Sequence, residues 1–549
     1  MLSDIEIAQS ADIKDVKTLL GSDRESMIEP HGEDMGKISY TNIDDDKIKK
    51  CNLILVTAIT PTKAGIGKTT VSIGLNDGLR KLGKSSIAVL REPSLGPCFV
   101  MKGGACGGGY SQVVPMEKIN FHFTGDFHAI TCANNMLAAA LDNYLYHNAE
   151  IRANLKRILF KRCLDINDRS LRRIYYKINP KDDNMIQTGF NITPASEIMA
   201  IFCLSNNLDD LRRRLDNIIL AEFNDGKYLF AKELGITGSL IALLSEAFKP
   251  NIVQSLENNP VLIHGGPFAN IAHGCNSIVA TKLGMSLCEY VVTEAGFAAD
   301  LGAEKFWNIK CRRMGISDEL KCVVLVCTIP GLKQFTGDIA DGYDNLLAHY
   351  NMLKRHGHNV VVTCNVHLDK DTEADKQSLS DFCRKHDIPF EFNTCFAHGG
   401  DGAVKLAEKV LEAIDNSPKT AKSFTYDNNS DLKTKIEAIL TKIYGYNPET
   451  LKLVINDEVA ETFESIMNDP AFESYDVCIA KTQYSMNDDV NTPTTTPDKT
   501  TFTITNIEVN NGAGFIVVSA GNMLRMPGLP KEPCATKIDY IDNKITGLS

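Results

Sequence analysis

Lys68 and Thr69 stand at the end of Thr60-Pro61-Thr62-Lys63-Ala64-Gly65-Ile66-Gly67-Lys68-Thr69-Thr70, a spacing that suits the binding of nucleotide phosphates. A loop of this kind turns backbone N–H groups and the start of a helix toward phosphate oxygens. Lys68 would reach the β- and γ-phosphates, and the Thr69 hydroxyl would ligate Mg²⁺ beside ATP. Gly65 and Gly67 permit the close backbone approach. The candidate ATP contacts are Thr62, Lys63, Ala64, Gly65, Ile66, Gly67, Lys68, Thr69 and Thr70. Position 62 is threonine where the full motif has glycine, and Lys63 is either a second phosphate ligand or a surface replacement.

A second reactive group follows at Arg91-Glu92. An arginine fork can hold a small carboxylate, and then its acyl phosphate, with two parallel hydrogen bonds, which a lysine cannot reproduce. The alternative is that Arg91 merely pairs with Glu92 or another carboxylate. Asp126, His128 and His273 are candidate orienters or proton partners.

The positioning elements can be read around these residues. Leu53 to Thr57 is a short apolar run suited to a buried strand, and Val71, Leu75, Leu79 and Leu82 recur at helical spacing. Ser86 to Leu90 is a second strand-like run, so the three make a parallel βαβ unit. Ligands of such units bind beyond the carboxyl ends of the strands, which brings Arg91 and Glu92 to the edge of the nucleotide site. Pro260 to His264, Cys322 to Cys327 and Asn359 to Asn365 read as further buried strands.

A chain of 549 residues implies more than one structural unit. A net charge of −11 opposes general binding to nucleic acid or to a membrane surface, so anionic ligands need local basic groups. The sixteen cysteines are scattered, without a C-x-x-C pair or zinc-ligand spacing. No apolar run approaches a membrane span of ~20 residues, and the acidic start, Met1 to Glu6, lacks signal-peptide character. A reduced, soluble, cytoplasmic protein is expected.

Residues 1 to 50 read as an N-terminal helical arm with Ile13, Val16, Leu19 and Leu20 as its stripe. The run Lys102 to Tyr110 holds five glycines within seven residues and reads as a substrate-covering loop or a flexible connector, ahead of a second phosphate cradle. The stretch 150 to 235 is rich in arginine and reads as a small α+β insertion whose basic residues form a solvated face or interface pairs. Breaks fall at 415 to 431 and 487 to 500, with Thr492 to Pro497 a loop, and the tail beyond 501 alternates like strands. The expected fold class is α/β: a large, mostly parallel P-loop NTPase-like sheet flanked by helices, with smaller α+β domains. The nucleotide-binding domain would take 1 to 149 and 236 to 364, and a C-terminal α/β region the remainder from 365 to 549.

Long strings beyond the phosphate loop carry a resemblance. Arg91 to Pro97, Phe121 to Thr131, His264 to Gly274, Thr293 to Phe297 with Asp300 to Phe306, and Met526 to Pro530 are similar to those of the formate–tetrahydrofolate ligases, in the same order and across essentially the whole chain. The resemblance implies ATP-dependent joining of formate to tetrahydrofolate, giving 10-formyltetrahydrofolate, ADP and phosphate through formyl phosphate, as a step of one-carbon metabolism. It implies a stand-alone homotetramer activated by potassium or ammonium, with Lys68, Arg91 and Glu92 catalytic. A pterin slot is implied between His367, in Asn365-Val366-His367, and Phe396, in Asn393 to Gly400. The C-terminal region would contribute that slot.

This chain also departs from the family pattern. Many members have phenylalanine at the position of His367 and tryptophan at that of Phe396, usually proline at Lys63 and tyrosine at His31, and a glycine-rich strand end where Ile174 to Asn179 follows Asn167-Asp168-Arg169. A switch-type P-loop ATPase would account for Lys63, whose variant loop with two lysines occurs in dimerising ATPases, but not for the other strings. A slow, folate-binding paralogue is the other alternative, against which Lys68, Thr69 and Arg91 count.

Overall fold

The computed structural model describes residues 2–62, 65–100, 105–182, 185–334, 336–416, 422–489, 500–521 and 523–548. Lys63, Ala64, the first part of the glycine run at 101–104 and the Thr492–Pro497 stretch lie outside them.

The apolar runs form the middle of one twelve-stranded sheet. Its order is Ile28–Pro30, Gly36–Ile38, Asn251–Ser255, Pro260–Ile263, Ser86–Leu90, Tyr290–Glu294, Asn52–Ala58, Leu320–Cys327, Val360–Asn365 and Phe390–Asn393, with Gly107–Gly108 and Ser111–Val114 attached at one side. From Pro260–Ile263 to Phe390–Asn393 every neighbour is parallel. All but the outermost, Phe390–Asn393, are buried almost throughout, as continuous rather than alternating apolar runs require. The fold is mixed α/β, with helices on the large sheet and smaller sheets apart from it.

The N-terminal segment differs from the expected helical arm. It holds a short helix, Asp4–Gln9, and two 3-10 turns, Val16–Leu20 and Glu25–Met27, before the antiparallel strands Ile28–Pro30 and Gly36–Ile38 extend the sheet edge. Val16 is buried and Leu19 and Leu20 pack against the core, so the stripe is real. Gly21, with φ of 90°, ends the 3-10 turn, and Gly32, with φ of 83°, lies in the turn between the two strands.

In the basic stretch, Leu155–Ile158, Ile219–Phe223 and Tyr228–Phe230 make a three-stranded antiparallel sheet. Several of its cations are paired: Lys156 and Arg157 with Glu222 at 2.7 and 2.6 Å, and Arg152 with Asp182 at 3.2 Å. Arg172 donates to the Met526 carbonyl at 2.8 Å, and the Asp168 N–H donates to the Met526 sulfur at 3.4 Å. The Met526 to Pro530 string is thereby tied to the Asn167-Asp168-Arg169 turn. No helix among the described residues is long and apolar enough to cross a membrane.

Candidate active site

The phosphate-loop strand Asn52–Ala58 leads into a loop closed by Thr62, whose carbonyl accepts from Gly65 N–H at 3.0 Å while its hydroxyl donates to the Gly65 carbonyl at 3.0 Å. Gly65 and Gly67 both have positive φ, 87° and 79°, and Gly67 caps the helix Lys68–Lys81. Asn365, at the end of a parallel strand two places away, donates to the Ile66 carbonyl at 3.4 Å. Its amide lies where a Cβ on Gly67 would project, so glycine is required there for space as well as for conformation.

Thr69 begins a chain of polar contacts. Its hydroxyl donates to Glu294 Oε2 at 2.9 Å. The other oxygen of the same carboxylate lies 3.7 Å from Arg91 Nη2. Glu294 ends the strand Tyr290–Glu294, which sits between the strand of the phosphate loop and the strand Ser86–Leu90, which Arg91 follows. Sheet order therefore places the three groups at adjacent carboxyl ends, in the crevice where α/β sheets bind ligands. Arg91 faces Glu294 rather than its sequence neighbour, and its Nε has no partner among the described residues. Gly296 leaves room for the guanidinium: a Cβ there would lie 3.0 Å from Arg91 Nη1.

Glu92 turns the other way and is buried, with Oε2 lacking a hydrogen-bond partner among the described residues. Burial and the Asp126 carboxylate push its carboxyl well above the usual range. Asp126 begins the helix Asp126–His147 and is buried against Lys37 Nζ at 2.8 Å and Asn251 Nδ2 at 2.7 Å.

The two histidines differ in kind. His128 is exposed, with Nε2 3.4 Å from Cys132 Sγ one turn along the same helix. His273 is fully buried, and neither ring nitrogen has a partner among the described residues. Burial, reinforced by Lys310, Arg313, Lys305 and Arg91, holds it well below its usual range and therefore neutral.

Phe396 and His367 come together, with ring centroids 6.4 Å apart and planes at 49°. A flat ring held between two others needs roughly 7 Å, twice a carbon–carbon contact of ~3.5 Å, so a small rotation opens a slot of the right width. Phe396 is fixed from beneath by the glycine run. Tyr110 N–H donates to its carbonyl at 2.8 Å, and Gly107–Gly108 pairs with Ser111–Gln112 in a tight hairpin. The phosphate-loop helix supplies the other support. Gly78 packs on the Ala403 backbone, Gly74 faces Cys395, and Cys395 Sγ donates to the Thr70 carbonyl at 3.5 Å. The ring pair is thus built directly onto the helix that starts at Lys68.

Of the groups now in place, Glu294, Lys37, Asn251 and Asn365 carry no role in the sequence reading. Glu294 had a visible signal, an acidic residue closing an apolar strand. Lys37 had none, because its partners are 89 and 214 positions away. A cleft of about 590 Å³ lined by Lys161, Arg172, Ile271, Glu508, Arg525 and Met526 holds none of the candidate residues.

Comparison with known proteins decides the family. The model of the formate–tetrahydrofolate ligase family matches residues 2–549. The chain belongs to the formate–tetrahydrofolate ligases. Formate–tetrahydrofolate ligases of Bacteroides fragilis and Bacteroides thetaiotaomicron are each 49% identical to it, over all of both chains. That of Porphyromonas gingivalis is 48% identical, again over the full length of both. As a formate–tetrahydrofolate ligase the protein is an ATP-dependent enzyme, and it aligns end to end with those relatives.

Proposed function

We propose that the enzyme joins formate to tetrahydrofolate at the expense of ATP, through formyl phosphate, to give 10-formyltetrahydrofolate, ADP and phosphate for one-carbon metabolism. The observation that carries this reading is the contact chain from Thr69 through Glu294 to Arg91. It puts a phosphate-loop hydroxyl and a carboxylate-binding guanidinium on one acidic side chain.

Formate is a poor acylating agent because its carboxylate has no adequate leaving group. Phosphorylation supplies one. Phosphoryl transfer depends mostly on positioning and charge compensation, for which Lys68 reaches the transferred phosphate and Arg91 holds formate in line. Thr69 and Glu294 present hard oxygen donors 2.9 Å apart, a set that fits Mg²⁺. When bound with ATP that ion compensates charge on the phosphates. In the second step the N10 amine of the folate, stacked between Phe396 and His367, attacks the formyl carbon. The C–O bond to phosphate breaks, and the departing phosphate takes the amine proton, so no strong base is needed. His273, buried and neutral, is suited to shaping the site rather than to proton transfer.

Family membership also leads us to take the working enzyme as a cytoplasmic homotetramer activated by potassium or ammonium. A switch-type ATPase is disfavoured because the relatives align with the entire chain. The test mixes the protein with ATP, formate and tetrahydrofolate and reads 10-formyl product after acid conversion to the absorbing methenyl form. Product that requires all three substrates supports the reading. ADP release indifferent to formate and folate sinks it.

A further inference from the structure

Glu257 stands in the turn between the strands Asn251–Ser255 and Pro260–Ile263, yet its carboxylate reaches a turn 143 positions further along the chain. That turn directly follows Phe396. Glu257 Oε1 accepts the Gly400 N–H at 2.7 Å, and Oε2 lies 3.3 Å from Lys81 Nζ, whose ammonium also pairs with Asp401 at 3.0 Å. Lys81 is the last residue of the helix that begins at Lys68. One carboxylate therefore joins the far end of the phosphate-loop helix to the segment that carries the Phe396 ring.

Phe396 needs such a hold, because its helix, Cys395–His398, is a single turn and too short to keep its own orientation. Its two ends are gripped separately. On one side the Cys395 N–H donates to Asn393 Oδ1 at 2.8 Å, and the Cys395 carbonyl accepts from Ser111 Oγ at 3.0 Å. On the other side stands Glu257. The approach is close: a Cβ on Gly399 would lie 2.7 Å from Glu257 Oε1, and one on Gly400 would lie 2.8 Å from Oε2. The Lys81 and Glu257 side chains are 33% and 27% exposed, so their ion pair adds little, and the charge-assisted bond to the buried Gly400 is the stronger contact.

The hairpin behind Glu257 is rigid enough to serve as an anchor. Ser255 Oγ and Asn259 Nδ2 both donate to Asp77 Oδ1 on the phosphate-loop helix, at 2.8 and 2.7 Å. The Leu256 N–H donates to the Gln112 carbonyl at 3.0 Å, and Asn258 Nδ2 to the Asp12 carbonyl at 2.8 Å.

We propose that Glu257 is a positioning residue for the folate: by fixing the turn at Gly399–Gly400 it holds the Phe396 ring in place against the pterin. This rests on the ligase reading, with Phe396 as a wall of the slot. The helix Lys68–Lys81 has 14 residues and spans roughly 20 Å, so Glu257 and Lys81 set the ring at a fixed distance from the phosphate loop. Attack of N10 on the formyl carbon requires that register.

A double-mutant cycle tests it. Glu257→Ala should raise the KM for tetrahydrofolate about fivefold or more and leave that for ATP near its native value, because Asp77 still ties the helix to the hairpin. Glu257→Gln keeps an acceptor for the Gly400 N–H and should recover most of the loss. In the Phe396→Ala background no ring remains to be placed, and Glu257→Ala should then change the folate KM by roughly twofold at most. An equal loss in both backgrounds, or an ATP KM that rises in parallel, makes the carboxylate merely structural and overturns the proposal.

The parallel variant separates this inference from the reading beneath it. If Phe396→Ala weakens folate and Glu257→Ala does not, the proposal falls and the slot stands; if Phe396→Ala has the native folate KM, the slot falls and the proposal with it. Calorimetric titration of tetrahydrofolate into the same four proteins makes these comparisons without turnover, so the proposal is decided even if the ligase assay gives no product.

Discussion

Thr69 donates its hydroxyl to Glu294 at 2.9 Å, and through that carboxylate it is linked to Arg91, 3.7 Å from the other oxygen. The phosphate loop and Arg91, the residue proposed to hold formate, thus lean on one acidic side chain, and whatever recruits Glu294 on the nucleotide side changes what Arg91 faces.

Glu294→Gln should therefore uncouple the two substrates. In the native enzyme, Mg²⁺-ATP and formate should each tighten the other's binding by the same factor, as linkage requires. In the variant that factor should approach one. Arg91→Ala should abolish product while leaving ATP binding largely intact. Calorimetric titration of formate with and without Mg²⁺ and a non-hydrolysable ATP analogue measures the first, and an unchanged coupling factor in Glu294→Gln rejects it. Near-normal turnover of Arg91→Ala rejects the second.

The proposed pterin slot gives a separate prediction. Phe396→Trp enlarges one wall and His367→Phe makes the other fully apolar, so each should lower the KM for tetrahydrofolate and leave that for ATP unchanged. Phe396→Ala removes roughly 2 kcal/mol of apolar contact and should raise the folate KM about tenfold or more. Steady-state kinetics with each substrate varied in turn separates these effects. A Phe396→Ala variant with native folate KM rules out stacking on this ring.

What was legible in the sequence follows from the range of the interactions involved. The phosphate loop, its helix and the buried strands rest on local periodicity and on glycines with positive φ, so a single stretch of chain carries the signal. Arg91 was legible because it ends such a strand. Lys37 was not, and Glu294 was legible only as an acidic residue closing an apolar strand, because its partners come from sheet order: the strand ending at Glu294 is inserted between two strands some two hundred positions earlier. The N-terminal stripe misled for the opposite reason. Val16, Leu19 and Leu20 have helical spacing, but glycines on the C-terminal side limit it to one turn before the chain joins the sheet.

The glycine run was expected to cover substrate or to connect, and the structure gives Gly109 a definite task. It has φ of 56°, and a Cβ there would collide with the backbone carbonyl of Phe396. Gly109→Ala should displace Phe396, raising the folate KM with little change in nucleotide binding, whereas Gly67→Ala should do the reverse because its Cβ would project at Asn365. Left-handed backbone at alanine adds about 1–2 kcal/mol to either clash. Equal effects of both variants on both substrates mean general misfolding, which thermal denaturation would show.

Asp77, on the buried face of the phosphate-loop helix, makes stability depend on pH. Its Oδ1 accepts from Ser255 Oγ at 2.8 Å and Asn259 Nδ2 at 2.7 Å, while Oδ2 has no partner among the described residues. Burial raises its carboxyl to about 7 from an ordinary 3.8. A raised acid is protonated in the folded state and ionised in the unfolded one between those values. Its contribution is therefore full below about 4 and is lost as pH rises to about 7, at about 1.4 kcal/mol per pH unit. Asp77→Asn fixes the neutral form and removes that slope. The variant should match or fall below the native enzyme in thermal stability at pH 5 and exceed it at pH 8, since other titrating groups cancel in the difference. A difference in melting temperature that is constant across that range would show that Asp77 does not hold its proton in the fold.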